Sequence, residues 1–203
     1  MAVEIELKAR LDDFEPVRER LFTMGEYCRA YIKSDTYWLP GQPAATIPSG
    51  VRVRRESGVN ADGSAFDSIL VTYKTKEISD GIEVNDECEF TVSDAPVFEE
   101  LLGRLGLRET YHKGKKGWAW LVASKASAPE PPILAELSLV AGLGWFLEIE
   151  IQVANDSRQA VVEESRRRLL ALLDQLEISP DRIEPRPYTL MLKEAGLALN
   201  IKN

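Results

Sequence analysis

The sequence predicts an antiparallel α+β protein whose strands close into a barrel, with a polar interior and with helices on its apolar exterior. Strand-like segments follow one another at hairpin spacing, and helical segments separate groups of them. On many of these strands, charged residues alternate with apolar ones. A sandwich would turn such charged faces to water, whereas a closed barrel turns one face of every strand inward. The repeated alternation therefore favours the barrel.

The first strand shows the alternation most clearly. In the run from Val3 to Arg10, VEIELKAR, every second residue is charged, which is the period of a strand with one charged and one apolar face. The segment 146–153 repeats the pattern with Glu148 and Glu150. If both charged faces line one cavity, the converging carboxylates need compensating cations.

The other elements follow from periodicity and from loop residues. Strands after the first are predicted, in chain order, at 27–39, 51–54, 68–76, 82–92, 107–122, 133–140 and 146–153. Gly114 and Gly117 are expected to interrupt the strand at 107–122. Apolar stripes predict helices at 12–24, 94–106 and 157–176, and a short last helix after Pro187. These elements form one predicted domain, 1–203, with barrel strands over about 3–153 and C-terminal helices over about 157–196.

Composition limits the classes of ligand. A net charge of −8 should repel nucleic acid, and no apolar run approaches the roughly 20 residues of a membrane span. One histidine and the separated Cys28 and Cys88 cannot form a clustered metal site, so any metal must be held by oxygen, as Mg²⁺ or Mn²⁺ is. Isolated cysteines and no secretory signal predict a cytoplasmic location.

The inward positions of the predicted barrel bring both signs of charge together. The acidic residues are Glu4, Glu6, Glu136, Glu148 and Glu150, and the basic ones are Lys8, Arg52, Arg54, Lys74, Lys76, Lys113 and Lys115. Carboxylates two residues apart on a strand, roughly 7 Å, suit one or two divalent ions, and arginines fork onto phosphate oxygens. Each motif alone is typical of a solvated strand face. Together they favour a polyphosphate bound with its metal.

The motifs resemble those of the CYTH proteins, the triphosphate tunnel metalloenzymes. The Glu-x-Glu-x-Lys signature of that family matches 4–8, and its late Glu-x-Glu matches 148–150 after Gly-Leu-Gly. Further matches in the family's order are Asp35-Thr-Tyr37, Arg52-Val-Arg54, Lys74, Glu87-Cys-Glu89, Lys113-Gly-Lys115 and Glu136. The resemblance runs from residue 3 to about 153, and the tail at 184–192 resembles the bacterial cyclase-like branch.

The resemblance implies an eight-stranded antiparallel tunnel that binds a triphosphate together with Mg²⁺ or Mn²⁺. It assigns Lys8, Lys74 and Tyr37 to catalysis, with Glu87 and Glu89 in support. The basic residues named above would bind phosphate, and the acidic ones would bind metal. Departures from the family pattern at Lys115, Glu136 and Asn85 bear on the substrate more than on the fold.

Three functions share such a site. A class IV adenylyl cyclase converts ATP to cyclic AMP and pyrophosphate, a triphosphatase hydrolyses inorganic tripolyphosphate or thiamine triphosphate, and a polyphosphate-binding domain performs no reaction. Chain length and the Tyr188 segment favour the cyclase, whereas the candidate metal ligands disfavour the non-catalytic domain. The expected partner is a small-molecule triphosphate, without nucleic acid or membrane, and a homodimer is left open.

Overall fold

The computed structural model describes residues 2–40, 50–79, 82–123, 130–154 and 159–197, and for residues 2, 74–79, 83–87 and 154 it describes the backbone only. Within these ranges the strands are β1 (Ala2–Leu11), β2 (Glu26–Pro40), β3 (Val51–Asn60), β4 (Ala65–Ser79), β5 (Ile82–Thr91), β6 (Leu107–Val122), β7 (Ile133–Val140) and β8 (Gly144–Ala154). The helices are α1 (Glu15–Met24), α2 (Ala95–Arg104), α3 (Gln159–Gln175) and α4 (Tyr188–Glu194), with a 3₁₀ turn at Pro180–Arg182.

The strands form one strongly curled antiparallel sheet. Its hydrogen-bonded order is β1-β5-β4-β3-β2-β6-β7-β8, and this order returns to its start because β1 pairs with both β5 and β8. The predicted antiparallel α+β class is therefore confirmed. The register sets Glu6 opposite Glu150 and Lys8 opposite Glu148 across the β1–β8 pair, so the alternating faces of the two strands coincide.

The convex side of the sheet carries the apolar core. Ile5 and Leu7 on β1 and Leu169 and Leu173 on α3 belong to one buried cluster, which also includes residues of β6, β7, β8 and α1. A smaller cluster joins Leu102 of α2 to the outer face of β3. None of the described helices combines the length and the apolar character needed to cross a bilayer.

Strand β6 is continuous, so the predicted interruption at Gly114 and Gly117 is wrong. Gly117 is required by a close approach between strands rather than by a break. A Cβ at this position would lie 1.9 Å from the carbonyl oxygen of Leu137 on β7. The continuous strand places Lys113 and Lys115 on the same, inward face, where both are buried.

The chain beyond α3 returns to β1 and covers one end of the curled sheet. Ile183 bridges to Ala9, and the Glu184 amide donates to the Lys8 carbonyl oxygen at 2.8 Å. Helix α4 then packs Tyr188 and Met191 against Phe146 of β8. Tyr188 is thereby held over the concave side of the sheet.

Candidate active site

The concave side of the sheet encloses a cavity of about 860 Å³. Its walls are built from the inward positions of the strands, as the alternation in the sequence predicts. Of the predicted site residues, those whose side chains line the cavity are Glu4, Glu6, Lys8, Tyr37, Arg52, Arg54, Glu89, Lys113, Lys115, Glu136, Glu148 and Glu150. Lys74, Lys76 and Glu87 lie on β4 and β5, with Lys74 opposite Glu87, but their side chains fall outside the described part of the chain.

One side of the cavity, which we call the acidic wall, consists of Glu4, Glu6 and Glu150 on β1 and β8. Burial raises the pKa of Glu150 well above its usual value, and the negative charge of Glu4, a hydrogen bond shared with Glu4, and the charge of Glu6 raise it further. The repulsion among these carboxyl groups favours the protonated form of Glu150.

The acidic wall fits a divalent cation by the chemistry of its donors. Carboxylate oxygens are the preferred ligands of Mg²⁺ and Mn²⁺, and a cation among these carboxylates would offset the repulsion that, with burial, raises the pKa of Glu150. Within the described residues, no three Asp, Glu, His or Cys side chains are already arranged at coordinating distance. The fit therefore rests on oxygen donors and on repulsion between carboxylates, and the side chains would have to converge on the ion.

On a second side of the cavity, carboxylates are paired with lysines. We call it the paired wall, and it is formed by Lys33, Lys115, Glu136, Glu148 and Tyr188. Lys115 Nζ donates to both Glu136 Oε2 and Glu148 Oε2 at 2.9 Å. Lys33 Nζ donates to Glu136 Oε1, and the Tyr188 hydroxyl donates to Glu148 Oε1. Glu136 and Glu148 were predicted to bind metal; in this structure both bind lysine, and their metal role stays a prediction.

The pKa values of the paired wall follow from these contacts. Burial alone would raise the pKa of Glu136, but Lys115 and Lys33 outweigh it and hold that pKa well below the usual value. Burial likewise opposes ionisation of Glu148, yet Lys115 and Lys113 lower its pKa to about 2. For Lys33, burial wins over the attraction of Glu136 and lowers the pKa to about 8. Both carboxylates of this wall are ionised at neutral pH.

Asp35 orients two of the predicted phosphate ligands. Its carboxylate accepts from Arg54 Nε at 2.7 Å and from Arg54 Nη2 at 2.9 Å, and lies 3.0 Å from Lys113 Nζ. Although burial alone would raise the pKa of Asp35, these cations hold it well below its usual value. Because Asp35 carries one negative charge against two positive ones, this cluster has a surplus positive charge.

Arg52 is positioned by β4 and β5. Its Nη2 donates to Thr72 Oγ1 at 2.9 Å, and the Thr72 hydroxyl donates to Glu89 Oε2 at 2.9 Å. Glu89 was predicted to support the site, and these contacts suit that role. The chain Arg52–Thr72–Glu89 leaves the guanidinium in the lining of the cavity.

Lys8 lies at the end of the cavity that the C-terminal segment covers. Its Nζ donates to the Arg186 carbonyl oxygen at 2.7 Å and lies 4.5 Å from the centre of the Tyr188 ring. Lys113 Nζ lies 4.7 Å from the same ring and 5.7 Å from that of Tyr37. A carbonyl oxygen and an aromatic face both stabilise an ammonium ion.

Sequence reasoning missed Lys33, Tyr31, Arg29 and Glu56. Lys33 is buried between Glu136 and Glu56, and Arg29 Nη2 lies 3.3 Å from Glu56 Oε1. The alternation that identified β1 was available on β2, where odd-numbered positions from 29 to 39 face inward. Tyrosines on the inward face and the polar Ser34 and Thr36 on the outward face concealed it, because the inward positions are not uniformly charged and the outward ones are not uniformly apolar.

A protein-family model described as the CYTH domain matches residues 2–188. Among curated proteins, a candidate adenylate cyclase of Methanocaldococcus jannaschii, MJ0240, is 25% identical over 189 residues, covering 92% of this chain and 96% of the relative.

Solved structures have the same fold. The PH1819 protein from Pyrococcus horikoshii aligns with a TM-score of 0.74 at 24% identity, covering 94% of this chain and 98% of that one. The candidate adenylyl cyclase HpAC1 from Hippeastrum, whose structure is described with a dominant triphosphatase activity, aligns with a TM-score of 0.60 at 13% identity over the full length of both chains.

Proposed function

We propose that this chain, which belongs to the CYTH domain family, is a divalent-metal-dependent enzyme acting on a triphosphate. The reaction we favour is that of a class IV adenylyl cyclase, in which ATP yields cyclic AMP and pyrophosphate. In this proposal the curled sheet encloses the substrate as a closed tunnel, and the metal is Mg²⁺ or Mn²⁺.

The observation that carries the proposal is the separation of charge inside one cavity. Repelling carboxylates on the acidic wall stand across from a cationic side where Arg54 and Lys113 share the one carboxylate of Asp35. A metal–triphosphate complex has the complementary pattern, since its cation suits the carboxylates and its oxygens suit the arginines and lysines. A simple anion would not offset the repulsion among the carboxylates of the acidic wall, and a simple cation would not offset the surplus positive charge of Arg54 and Lys113 on Asp35.

We assign the metal to Glu4, Glu6 and Glu150 first, with Glu136 and Glu148 kept as further predicted ligands. A divalent ion held there would neutralise phosphate oxygens and stabilise the charge that develops at phosphorus. The chain's own cations act on the same charge: Arg52 and Arg54 fork onto phosphate oxygens. The fixed donors around them cost little reorganisation during the reaction.

Lys8, predicted to be catalytic, serves in this proposal as a cation that stabilises the departing phosphate. Its Nζ donates to the Arg186 carbonyl oxygen, which fixes the position of the Lys8 side chain at the covered end of the cavity. Tyr37 lies in the cavity wall beside Lys113 and orients the attacking group. Lys74 and Lys76 stay predicted phosphate ligands on β4.

Hydrolysis of tripolyphosphate or thiamine triphosphate is the second candidate. The cavity contacts that we describe all serve phosphate and metal, and such contacts are the same for inorganic and organic triphosphates. The M. jannaschii relative carries a cyclase name, whereas HpAC1 is described with triphosphatase activity. We place the cyclase first because MJ0240 is 25% identical to this chain, whereas HpAC1 is 13% identical.

Product analysis separates these reactions. The protein is incubated with ATP, tripolyphosphate or thiamine triphosphate, each with Mg²⁺ or Mn²⁺, and products are identified by ³¹P NMR and chromatography. Cyclic AMP with pyrophosphate supports the cyclase, and orthophosphate supports the triphosphatase. A Glu150→Gln variant serves as control for a contaminating enzyme. The proposed function is overturned if the protein neither converts nor binds any of the three triphosphates.

A further inference from the structure

Helix α2 carries an apolar stripe that faces solvent. Val97, Leu101 and Leu105 follow one another at a spacing of four residues and are 63%, 46% and 66% exposed, so they form one line along the helix. The face of α2 that packs on the sheet is a different one, containing Ala95 and Leu102. The stripe is therefore additional to the apolar surface that anchors the helix.

The stripe continues onto the outer face of the sheet. Phe98, next to the stripe on the helix surface, meets Phe90 of β5 edge to face with ring centres 6.0 Å apart. Phe90 is itself 44% exposed, and Tyr73 on the neighbouring strand β4 is 40% exposed. We call the surface formed by Tyr73, Phe90, Val97, Leu101 and Leu105 the α2 surface. Clusters of exposed large apolar residues mark interaction sites, whereas single ones do not.

Charges beside the stripe identify the partner. Arg104 and Glu100 form an ion pair one helical turn apart, and both are exposed on the same side of the stripe. If a second α2 lies antiparallel with Leu101 against its own copy, the same flanks of the two helices meet. Glu100 of each copy then lies next to Arg104 of the other, because the helical rise of 1.5 Å per residue leaves them about 3 Å apart along the axis.

We propose that the α2 surface is a two-fold interface between two copies of this chain. The sequence of α2 is self-complementary in this arrangement, since apolar residues meet apolar residues and each carboxylate meets a guanidinium. A parallel two-fold arrangement would instead set the flank that carries Glu100 and Arg104 against the opposite flank of the other helix, where Phe98 and Leu102 pack on the sheet. The interface lies on the convex side of the sheet, so the dimer leaves the cavity open to substrate.

A helix of this length buries less area than a standard interface of about 800 Å² per partner. We therefore expect a dissociation constant in the micromolar range, and sedimentation velocity from about 1 to 200 μM covers it. Leu101→Asp places a charge at the two-fold axis and should weaken association more than tenfold. The matched control is Val161→Asp on α3, an apolar residue that is similarly exposed at 41% and should have no effect.

A charge exchange tests the arrangement itself. Glu100→Arg leaves two arginines on each flank, and Arg104→Glu leaves two glutamates, so each variant alone should dimerise about tenfold more weakly. An equimolar mixture of the two variants should form a heterodimer, because every flank contact is then between opposite charges. The control is Glu164→Arg, which breaks an exposed ion pair with Arg167 on α3 and should leave association unchanged.

Circular dichroism spectra and melting temperatures of all variants must match the wild type for these comparisons. The proposal is overturned if the wild-type chain stays monomeric at 200 μM, if Leu101→Asp associates as the wild type does, or if the mixture of charge variants associates no better than either variant alone. Because the α2 surface lies on the outer face of the sheet and the cavity on the inner face, each of these results is independent of the proposed triphosphate reaction.

Discussion

The two walls of the cavity contain the same kind of residue in opposite states. On the acidic wall, Glu4, Glu6 and Glu150 face one another, and the pKa of Glu150 is raised. On the paired wall, Glu136 and Glu148 are also enclosed, yet their pKa values are lowered, chiefly because Lys115 Nζ lies 2.9 Å from each carboxylate. Glutamates on inward strand positions therefore do not share one role. On one wall, burial and neighbouring carboxylates raise the pKa of Glu150; on the other, lysines neutralise the carboxylates.

Removing Lys115 from the paired wall should change the free energy of unfolding more than any other substitution described here in the two walls. Lys115→Met deletes the ammonium that two buried carboxylates share, and breaking a buried pair in this way costs about 3–5 kcal/mol. Urea unfolding of the metal-free protein measures this change. If the variant lost less than about 1 kcal/mol, water would reach the paired wall and the contrast between the walls would be wrong.

Removing a carboxylate from the acidic wall should have the opposite consequence. Glu150→Gln relieves repulsion, so the metal-free fold should be at least as stable as the wild type at pH 7. Metal affinity and turnover should fall by more than about a hundredfold, since even residues that only support metal ligands account for 10–100-fold. Mn²⁺ titration followed by electron paramagnetic resonance measures the affinity directly. Unchanged Mn²⁺ affinity in a folded variant would remove Glu150 from the metal site.

The cationic side is tested by Arg52→Ala. We expect a loss of about 1.5–3 kcal/mol in triphosphate binding, the contribution of one charge-assisted contact. Calorimetric titration with tripolyphosphate and Mg²⁺ measures it. Arg55→Ala is the matched control, because Arg55 belongs to the same strand but binds Glu99 of α2 on the outer face. Equal losses in the two variants would indicate a general effect of charge rather than a site.

The walls should also respond to pH in opposite directions. Because the folded pKa of Glu150 is raised, its contribution to stability is complete below its unfolded pKa of about 4.3 and is lost as the pH rises through its folded value. Glu148 has a folded pKa of about 2, so its contribution is present above the unfolded pKa and is lost as the pH falls towards 2. Unfolding free energies of Glu150→Gln and Glu148→Gln, measured without metal, should therefore diverge from the wild type in different pH ranges. Parallel curves would contradict this assignment.

Alternation in the sequence was sufficient to predict the charged residues that face the cavity on β1, β6 and β8, and two of those on β3, Arg52 and Arg54. It could do so because a strand has a strict two-residue period, and one register error would have turned whole faces outward. Arg52 and Arg54 inward with Arg55 outward illustrate this: the outward arginine binds Glu99 of α2. Residue type and the two-residue period determine whether a side chain faces the cavity or the outer surface, and both can be read from a short stretch of sequence.

Partners within the cavity could not be predicted in the same way. Lys33 and Glu136 are 103 residues apart in the chain, and they meet only because the shear of the curled sheet brings β2 near β7 across β6. Likewise, contact between Tyr188 and Glu148 depends on the path by which the chain returns to β1 after α3. Whether an inward glutamate lies beside other glutamates or pairs with a lysine therefore depends on the fold and cannot be predicted from its motif.

Thermal unfolding tests the claim that the carboxylates and the cations of the cavity bind a metal and a triphosphate together. Ligand at a hundred times its dissociation constant stabilises the native state by about 2.7 kcal/mol, which for a chain of this size raises the melting temperature by roughly 5–10 °C. Tripolyphosphate with Mg²⁺ should give this shift, and monophosphate with Mg²⁺ should give almost none because it reaches too few of the cations. Equal shifts with both anions, or no shift with either, would contradict the claim.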